Sequence, residues 1–419
     1  MRVLWITNIL FPEAEQLIKG YGDLHSSGGW LLGSANELCK RDNLVLAVAA
    51  VSPLVNQLER FEGERILYYV IPLGNGNLKY NKEYEKYWMQ IKDDFCPDIV
   101  HIHGTEFTHG LAYVNACGNQ NVVVSIQGLM GECYKYYSYG LTTLQILRNI
   151  TVKDIIRGSI FSDKRQFKRR AALEADLLRK TKYVIGRTTW DKVHTWAINP
   201  EVKYFSCNEI LREEFYDGNW QYDKCDNFSI FISQAGYPLK GFHQLIKALP
   251  IVLKYYPNTM VYVAGRDITR NKGIKDLIHY DGYGHIINKM IKNNHLSAHI
   301  QFVGSMNAEQ MKARYLKSNV FISLSSIENS PNSLGEAQML GVPCISSNVG
   351  GVIDMIPNEH CGMLYRYEDT DLLAWEICNV FTNSPQYDNR IMVEEASKRH
   401  DCETNISRML SIYSSIIEG

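Results

Sequence analysis

The chain has 419 residues, a formal net charge of −1, 45% hydrophobic residues and 21% charged residues. That length exceeds one ordinary core and predicts two domains. The near-neutral balance excludes a global field that would recruit nucleic acid, and no run of about twenty apolar residues predicts a membrane-spanning helix. No signal-peptide pattern precedes the first apolar run, Arg2-Val-Leu-Trp-Ile-Thr7, so a cytoplasmic location is expected. None of the ten cysteines has metal-ligand or redox spacing; they read as buried or incidental thiols of a reducing compartment.

Strand-like runs alternate with helical segments along the whole chain, the pattern of an α/β fold with mainly parallel sheets. In the first half, strands are predicted at Val3–Thr7, Leu44–Val51, Ile66–Ile71, Asp98–His103, Val122–Gln127 and Tyr183–Gly186. Gly28 and Gly29 precede an amphipathic run carrying Leu31, Leu32, Ala35 and Leu38. Paired glycines before a helix let a backbone or a phosphate approach closely, although many such pairs are only turns. Alternation along Asp98–His103 puts His101 and His103 on one face with Ile99, and Val100 and Ile102 on the other. His101 reads as a structural histidine, whereas His103 ends its strand and is a candidate site residue. Between Arg148 and Lys182, eleven Lys and Arg residues outnumber four acids, just after the aromatic run Tyr134-Lys-Tyr-Tyr-Ser-Tyr139. Basic charge beside aromatics suits docking on an anionic lipid surface; a solvated helix face is the plainer alternative.

A second series of strands is predicted at Ser229–Gln234, Met260–Ala264, Ile300–Val303, Val320–Leu324 and Cys344–Ser347. The break between the series falls in Phe205–Gly218. The expected domains are residues 1–207 and 208–391, with a helix over 392–419 packing back on the first. Asp369 and Asp371 follow no predicted strand and read as a helix cap rather than a metal site.

The most informative stretch is Ser325-Ser-Ile-Glu-Asn-Ser-Pro-Asn-Ser-Leu-Gly-Glu-Ala-Gln-Met-Leu-Gly-Val-Pro343, in which Glu328 and Glu336 stand eight positions apart. A strand precedes it, and helical spacing from Leu334 to Leu340 ends at a Gly-Val-Pro stop. One carboxylate therefore leaves a strand and the other enters the first turn of a helix. In an open α/β sheet that edge binds ligands, and a helix N-terminus there suits an anion such as a diphosphate. Ser333-x-x-Glu336 also fits a capping box, in which Glu336 only reaches back to the cap backbone.

This segment, with Gly341–Gly351 after it, resembles the Glu-(x)7-Glu signature of retaining glycosyltransferases of family 4. The resemblance implies the GT-B architecture, two doubly wound Rossmann-like domains facing across a cleft. It also implies transfer from a nucleotide-diphosphate sugar to a hydroxyl of a glycan or lipid-linked glycan, with no cofactor and no bound metal. Carried onto this chain, Glu328 faces the donor sugar, Glu336 binds the ribose, and amides near Ser333 and Leu334 hold the diphosphate. Lys240 matches the family's phosphate-binding lysine. Gly28 and Gly29 match its first loop, and His103 a histidine that lines the site. Two positions depart from the pattern. Gln127 stands where a histidine is common, and it cannot titrate; Ala235, with Gln234 beside it, replaces an arginine. Arg266, in the turn after a strand, is a candidate compensating cation. A nucleotide-sugar epimerase of the same fold and a non-catalytic sugar-nucleotide or glycan-binding protein are the alternative readings. Family habit places such a transferase in bacterial surface polysaccharide synthesis, in the cytoplasm or on the inner face of the cell membrane.

Overall fold

The structure, a computed structural model, describes residues 1–20, 29–74, 80–270 and 280–419. It divides into two compact units, one of residues 1–132, 166–212 and 400–419, the other of 133–165 and 213–399.

The first unit holds an eight-stranded sheet built from β1 (Arg2–Thr7), β2 (Val45–Ser52), β3 (Glu59–Glu62), β4 (Ile66–Pro72), β5 (Ile99–His103), β6 (Val122–Ser125), β7 (Tyr183–Gly186) and β8 (Lys203–Ser206). Their spatial order is β3-β4-β2-β1-β5-β6-β7-β8, and all pairs are parallel except β3 with β4. The central strands are buried on both faces, as continuous Val/Ile/Leu runs require. One face of β5 gives Val100 and Ile102 to a core with Trp88 and Leu111; the other gives Ile99 to a core with Trp5 and Tyr413.

The second unit holds a six-stranded parallel sheet of β9 (Ser229–Ile232), β10 (Met260–Ala264), β11 (Ile300–Gly304), β12 (Val320–Ser323), β13 (Cys344–Ser347) and β14 (Met363–Tyr365). Their order is β11-β10-β9-β12-β13-β14. The α/β class with two doubly wound sheets is thus observed. Strand order reverses between β1 and β5 in one sheet and between β9 and β12 in the other. Loops leaving adjacent parallel strands on either side of such a switch diverge and open a crevice.

Three strands escaped the sequence pattern: β3, β8 and β14 are short edge strands, and β3 and β8 are only partly buried. The unit boundaries also differ from the expected ones. Residues 133–165, expected in the first domain, belong to the second unit, and the helix expected over 392–419 is two helices, Arg390–His400 and Cys402–Ile417. Asp401 starts the second of these by accepting from the Thr404 amide at 2.8 Å, and only residues 400–419 join the first unit. Asp369 caps the helix Thr370–Asn383 by accepting from the Leu372 amide at 2.9 Å, the role read from its sequence. Among the described residues, no helix is long and apolar enough to cross a membrane.

Candidate functional site

In the second unit, β9 delivers the loop 233–241 and β12 the loop 324–331 to the crevice. The first loop turns through a short 3-10 segment, Pro238–Lys240, into Gly241 at φ +68°. A Cβ on Gly241 would lie 1.8 Å from the Leu324 carbonyl oxygen, so only glycine lets the two loops touch here. The contact is stitched by the Ser326 amide donating to the Leu239 carbonyl at 2.8 Å. It brings the Lys240 Nζ to 2.6 Å from Glu328 Oε1, which also accepts from Ser325 Oγ at 2.6 Å. Both side chains of the pair keep about a fifth of their surface open.

Burial disfavours the Lys240 ammonium, but Glu328 and Tyr237 outweigh it, and its pKa stands above the ordinary lysine value. A third loop backs the pair. Gly350, at φ +54°, presents a position where a Cβ would lie 1.9 Å from the Glu328 carbonyl oxygen, and the Gly351 amide donates to that oxygen at 3.0 Å.

The helix Asn332–Met339 has Pro331, not Ser333, at its N-cap, with no side-chain cap bond. Glu336 is therefore its fifth residue rather than a first-turn residue, and the capping-box reading fails because Ser333 is already helical. Glu336 is buried. The Leu334 side chain lies in the core and its amide donates to the Pro331 carbonyl at 3.0 Å. Of the two expected diphosphate amides, that of Ser333 is the one whose place in the first turn leaves it no intrahelical acceptor. Gln234 is exposed, the Ala235 methyl is buried, and Arg266 is exposed in the turn after β10.

In the first unit, His101 is structural, as expected: its two ring nitrogens lie 2.6 Å from Tyr413 Oη and 2.6 Å from Ser125 Oγ. His103 is 5% exposed and neither ring nitrogen has a hydrogen-bond partner among the described residues. Its ring centroid lies 4.3 Å from that of Trp5 and 3.8 Å from that of His101. Burial, reinforced by His101, holds its pKa well below the usual imidazole range. With Trp30, Arg187 and Glu209, it lines a cavity of about 20 Å³, room for roughly one water.

Gln127 is committed to neighbours. Its side-chain amide donates to Glu209 Oε1 at 2.7 Å, while Arg187 donates to the Gln127 carbonyl at 2.9 Å and pairs with Glu209 Oε2 at 2.6 Å. Arg187 and Glu209 went unread in the sequence, although Arg187 directly follows β7 and so lies at the ligand-binding edge. Glu106, two residues past the turn that ends β5, likewise went unread. It accepts from Asn8, which follows β1, at 2.9 Å across the switch point. Burial raises its carboxyl above the usual range, against its own backbone bond, Arg170 and Arg187.

Gly29 opens the helix Gly29–Leu38, where a Cβ would meet the Arg212 side chain at 2.8 Å. Gly28 lies outside the described residues. The structure thus joins Lys240 with Glu328, and Gln127 with Arg187 and Glu209. Among the described residues, no three His, Cys, Asp or Glu side chains gather as a metal site.

Residues 213–399, the larger segment of the second unit, match the family model described as glycosyl transferases group 1. That segment is thus similar to the group 1 glycosyl transferases. Over 154 residues the chain is 26% identical to an uncharacterized glycosyltransferase, MJ1607, of Methanocaldococcus jannaschii, covering 37% of this chain and 35% of that one. Over 226 residues it is 22% identical to the phosphatidylinositol N-acetylglucosaminyltransferase GPI3 subunit of Saccharomyces cerevisiae, covering 52% and 47%. The chain spans less than half the length of these curated relatives. The structure of Anabaena HepE in complex with UDP and glucose superposes with a TM-score of 0.66 at 14% identity, over 99% of this chain and all of that one. The two Rossmann-like domains therefore have the GT-B fold.

Proposed function

We propose that this protein is a retaining hexosyltransferase that moves a sugar from a nucleotide-diphosphate sugar to a hydroxyl of a glycan or lipid-linked glycan. The observation that carries this reading is the Lys240–Glu328 pair, held by Gly241 at the strand-order switch of the second unit. The names of the relatives support a nucleotide-sugar donor and, in one case, a lipid-borne acceptor.

In the reaction proposed here, the bond between the anomeric carbon and the phosphate oxygen breaks and its electron pair stays on the phosphate. Lys240 and the Ser333 amide meet that growing charge, which is worth most where donors are aimed in advance. They supply the neutralisation for which a metal would otherwise be needed. Glu328 faces the donor sugar, where positive charge develops as the bond stretches. Glu336 holds the ribose. The acceptor hydroxyl enters on the face the phosphate leaves, and its proton passes to a phosphate oxygen, which gives retention. Bacterial surface polysaccharide synthesis on the inner face of the membrane is the setting that this substrate pair fits.

Incubation with a panel of sugar nucleotides tests the reading. One donor should be hydrolysed slowly without acceptor, and Glu336→Gln should weaken nucleoside diphosphate binding in calorimetry by about 1.5–3 kcal/mol, the worth of a charge-assisted hydrogen bond. Tight donor binding with no turnover would favour a non-catalytic sugar-nucleotide-binding protein, and unchanged affinity would return Glu336 to a structural role.

A further inference from the structure

Residues 143–157 form two short helices, Thr143–Leu147 and Val152–Arg157, each begun by a capping box. Their inner sides bury Ile146 and Asp154. Their outer sides expose a run of large aliphatic side chains: Ile155 is 78% and Ile156 68% exposed, and Leu144, Leu147, Ile150 and Val152 are between 42% and 56% exposed. Large aliphatic side chains exposed in this number on one short segment mark an interaction surface.

The patch is fixed in place. The Asp154 carboxylate accepts from its own cap residue, the Thr151 amide at 2.8 Å, and from the Gly282 amide at 3.1 Å. It thereby caps its own helix and supports the start of the helix Gly282–Asn293. A Cβ on Gly282 would lie 2.6 Å from Asp154 Oδ2. Lys153 adds an ion pair with Asp281 at 2.8 Å.

That second helix carries His285, Lys289 and Lys292 at i, i+4 and i+7 spacing, which puts them on one face. Together with Ile150 and Val152 they line an open groove of about 550 Å³. Arg148 and Arg157 are exposed among the aliphatic residues. Asp154 is engaged in capping and Asp281 with Lys153.

We infer that this face of the second unit, Leu144–Ile156 with Arg148, Arg157, Lys289 and Lys292, is a docking surface for an anionic lipid bilayer. Aliphatic side chains enter the headgroup boundary while the interleaved cations meet lipid phosphates. The inference relocates the docking element expected from the basic run 148–182. In the later part of that run Arg170 donates to the Glu106 carbonyl and stacks on Phe107, and Lys180 pairs with Asp176, so those cations serve the first unit's own structure.

This surface also bears on the site. The same 133–165 segment sends the Tyr136 carbonyl to Ser326 Oγ at 2.9 Å, two residues from Glu328. The inference deepens the membrane setting proposed above, and it is tested without donor or acceptor, so its failure leaves the transfer reading standing and the converse also holds.

The experiment is co-sedimentation with vesicles of phosphatidylcholine alone or with a third phosphatidylglycerol. The wild-type protein should pellet with the anionic vesicles at low salt and be released at 0.5 M salt, a loss on the order of tenfold or more. Ile155→Ser with Ile156→Ser should abolish pelleting on the anionic vesicles while the circular dichroism and melting temperature stay at wild-type values. Lys289→Gln with Lys292→Gln should remove the preference for anionic lipid. No pelleting of the wild type, or equal pelleting of the serine variant, would overturn the proposal. A concentration-dependent dimer, seen by light scattering and lost in the serine variant, would assign the face to a second copy instead.

Discussion

Lys240 and Glu328 satisfy each other 88 positions apart in sequence, and that pairing sets what a substitution should do. In the transfer proposed here, the lysine acts on charge that grows as the sugar departs, so its loss should appear in turnover more than in donor binding. Lys240→Ala is expected to lower kcat on the order of 10²-fold, as for loss of one pre-aimed donor, with a smaller rise in KM. Steady-state kinetics on the hydrolysed donor measure this; full turnover with weaker donor binding would contradict the role. At Ala235, where the family resemblance implies an arginine, a buried methyl stands instead. Gln127, the other departure, is spent on Glu209, so a second cation or a titrating group stands at neither position.

At the scale of elements, the site depends on turns more than on helices. Gly241 adopts a left-handed conformation that costs other residues about 1–2 kcal/mol, and any Cβ would also strike the Leu324 backbone. Gly241→Ala should therefore lower the melting temperature and, by separating the two loops, reduce activity as Lys240→Ala does. An unchanged melting temperature would mean the loops can part without cost. Sequence pattern identified the Asp369 cap because it is local: the residue types needed are set by a few neighbouring dihedrals. It misplaced the start of the Asn332–Met339 helix by two residues, because Ser333 and Glu336 have capping-box spacing while Pro331 supplies the actual boundary. The edge strands β3, β8 and β14 were missed because short, partly polar segments carry little alternation.

At the scale of the whole molecule, buried histidines tie stability to pH. Burial lowers His101 to about 3, His109 to about 4 and His243 to about 3, and His103 also lies far below its usual range. These groups are neutral when folded but take up a proton near pH 6.5 when unfolded, so the unfolded state binds more protons below that value. The stability they confer is present above pH 6.5 and is lost as pH falls toward 4 and 3, by up to about 1.4 kcal/mol per pH unit for each histidine. Melting temperatures should accordingly drop between pH 7 and pH 5; a flat profile would mean that these imidazoles are not held neutral.

The α/β class, two sheets, most strands and the strand-loop-helix order around Glu328 and Glu336 were legible from sequence alone, because alternation and turn residues record the local backbone and its burial. Tertiary structure alone decided which loops meet: Lys240 with Glu328, Gln127 with Arg187 and Glu209, and Asn8 with Glu106, each across a gap no local pattern spans. It also decided that residues 133–165 belong with the second unit and leave Ile155 and Ile156 in solvent. A short amphipathic helix shows that it has an apolar side, but what that side meets depends on the surface to which the rest of the fold carries it.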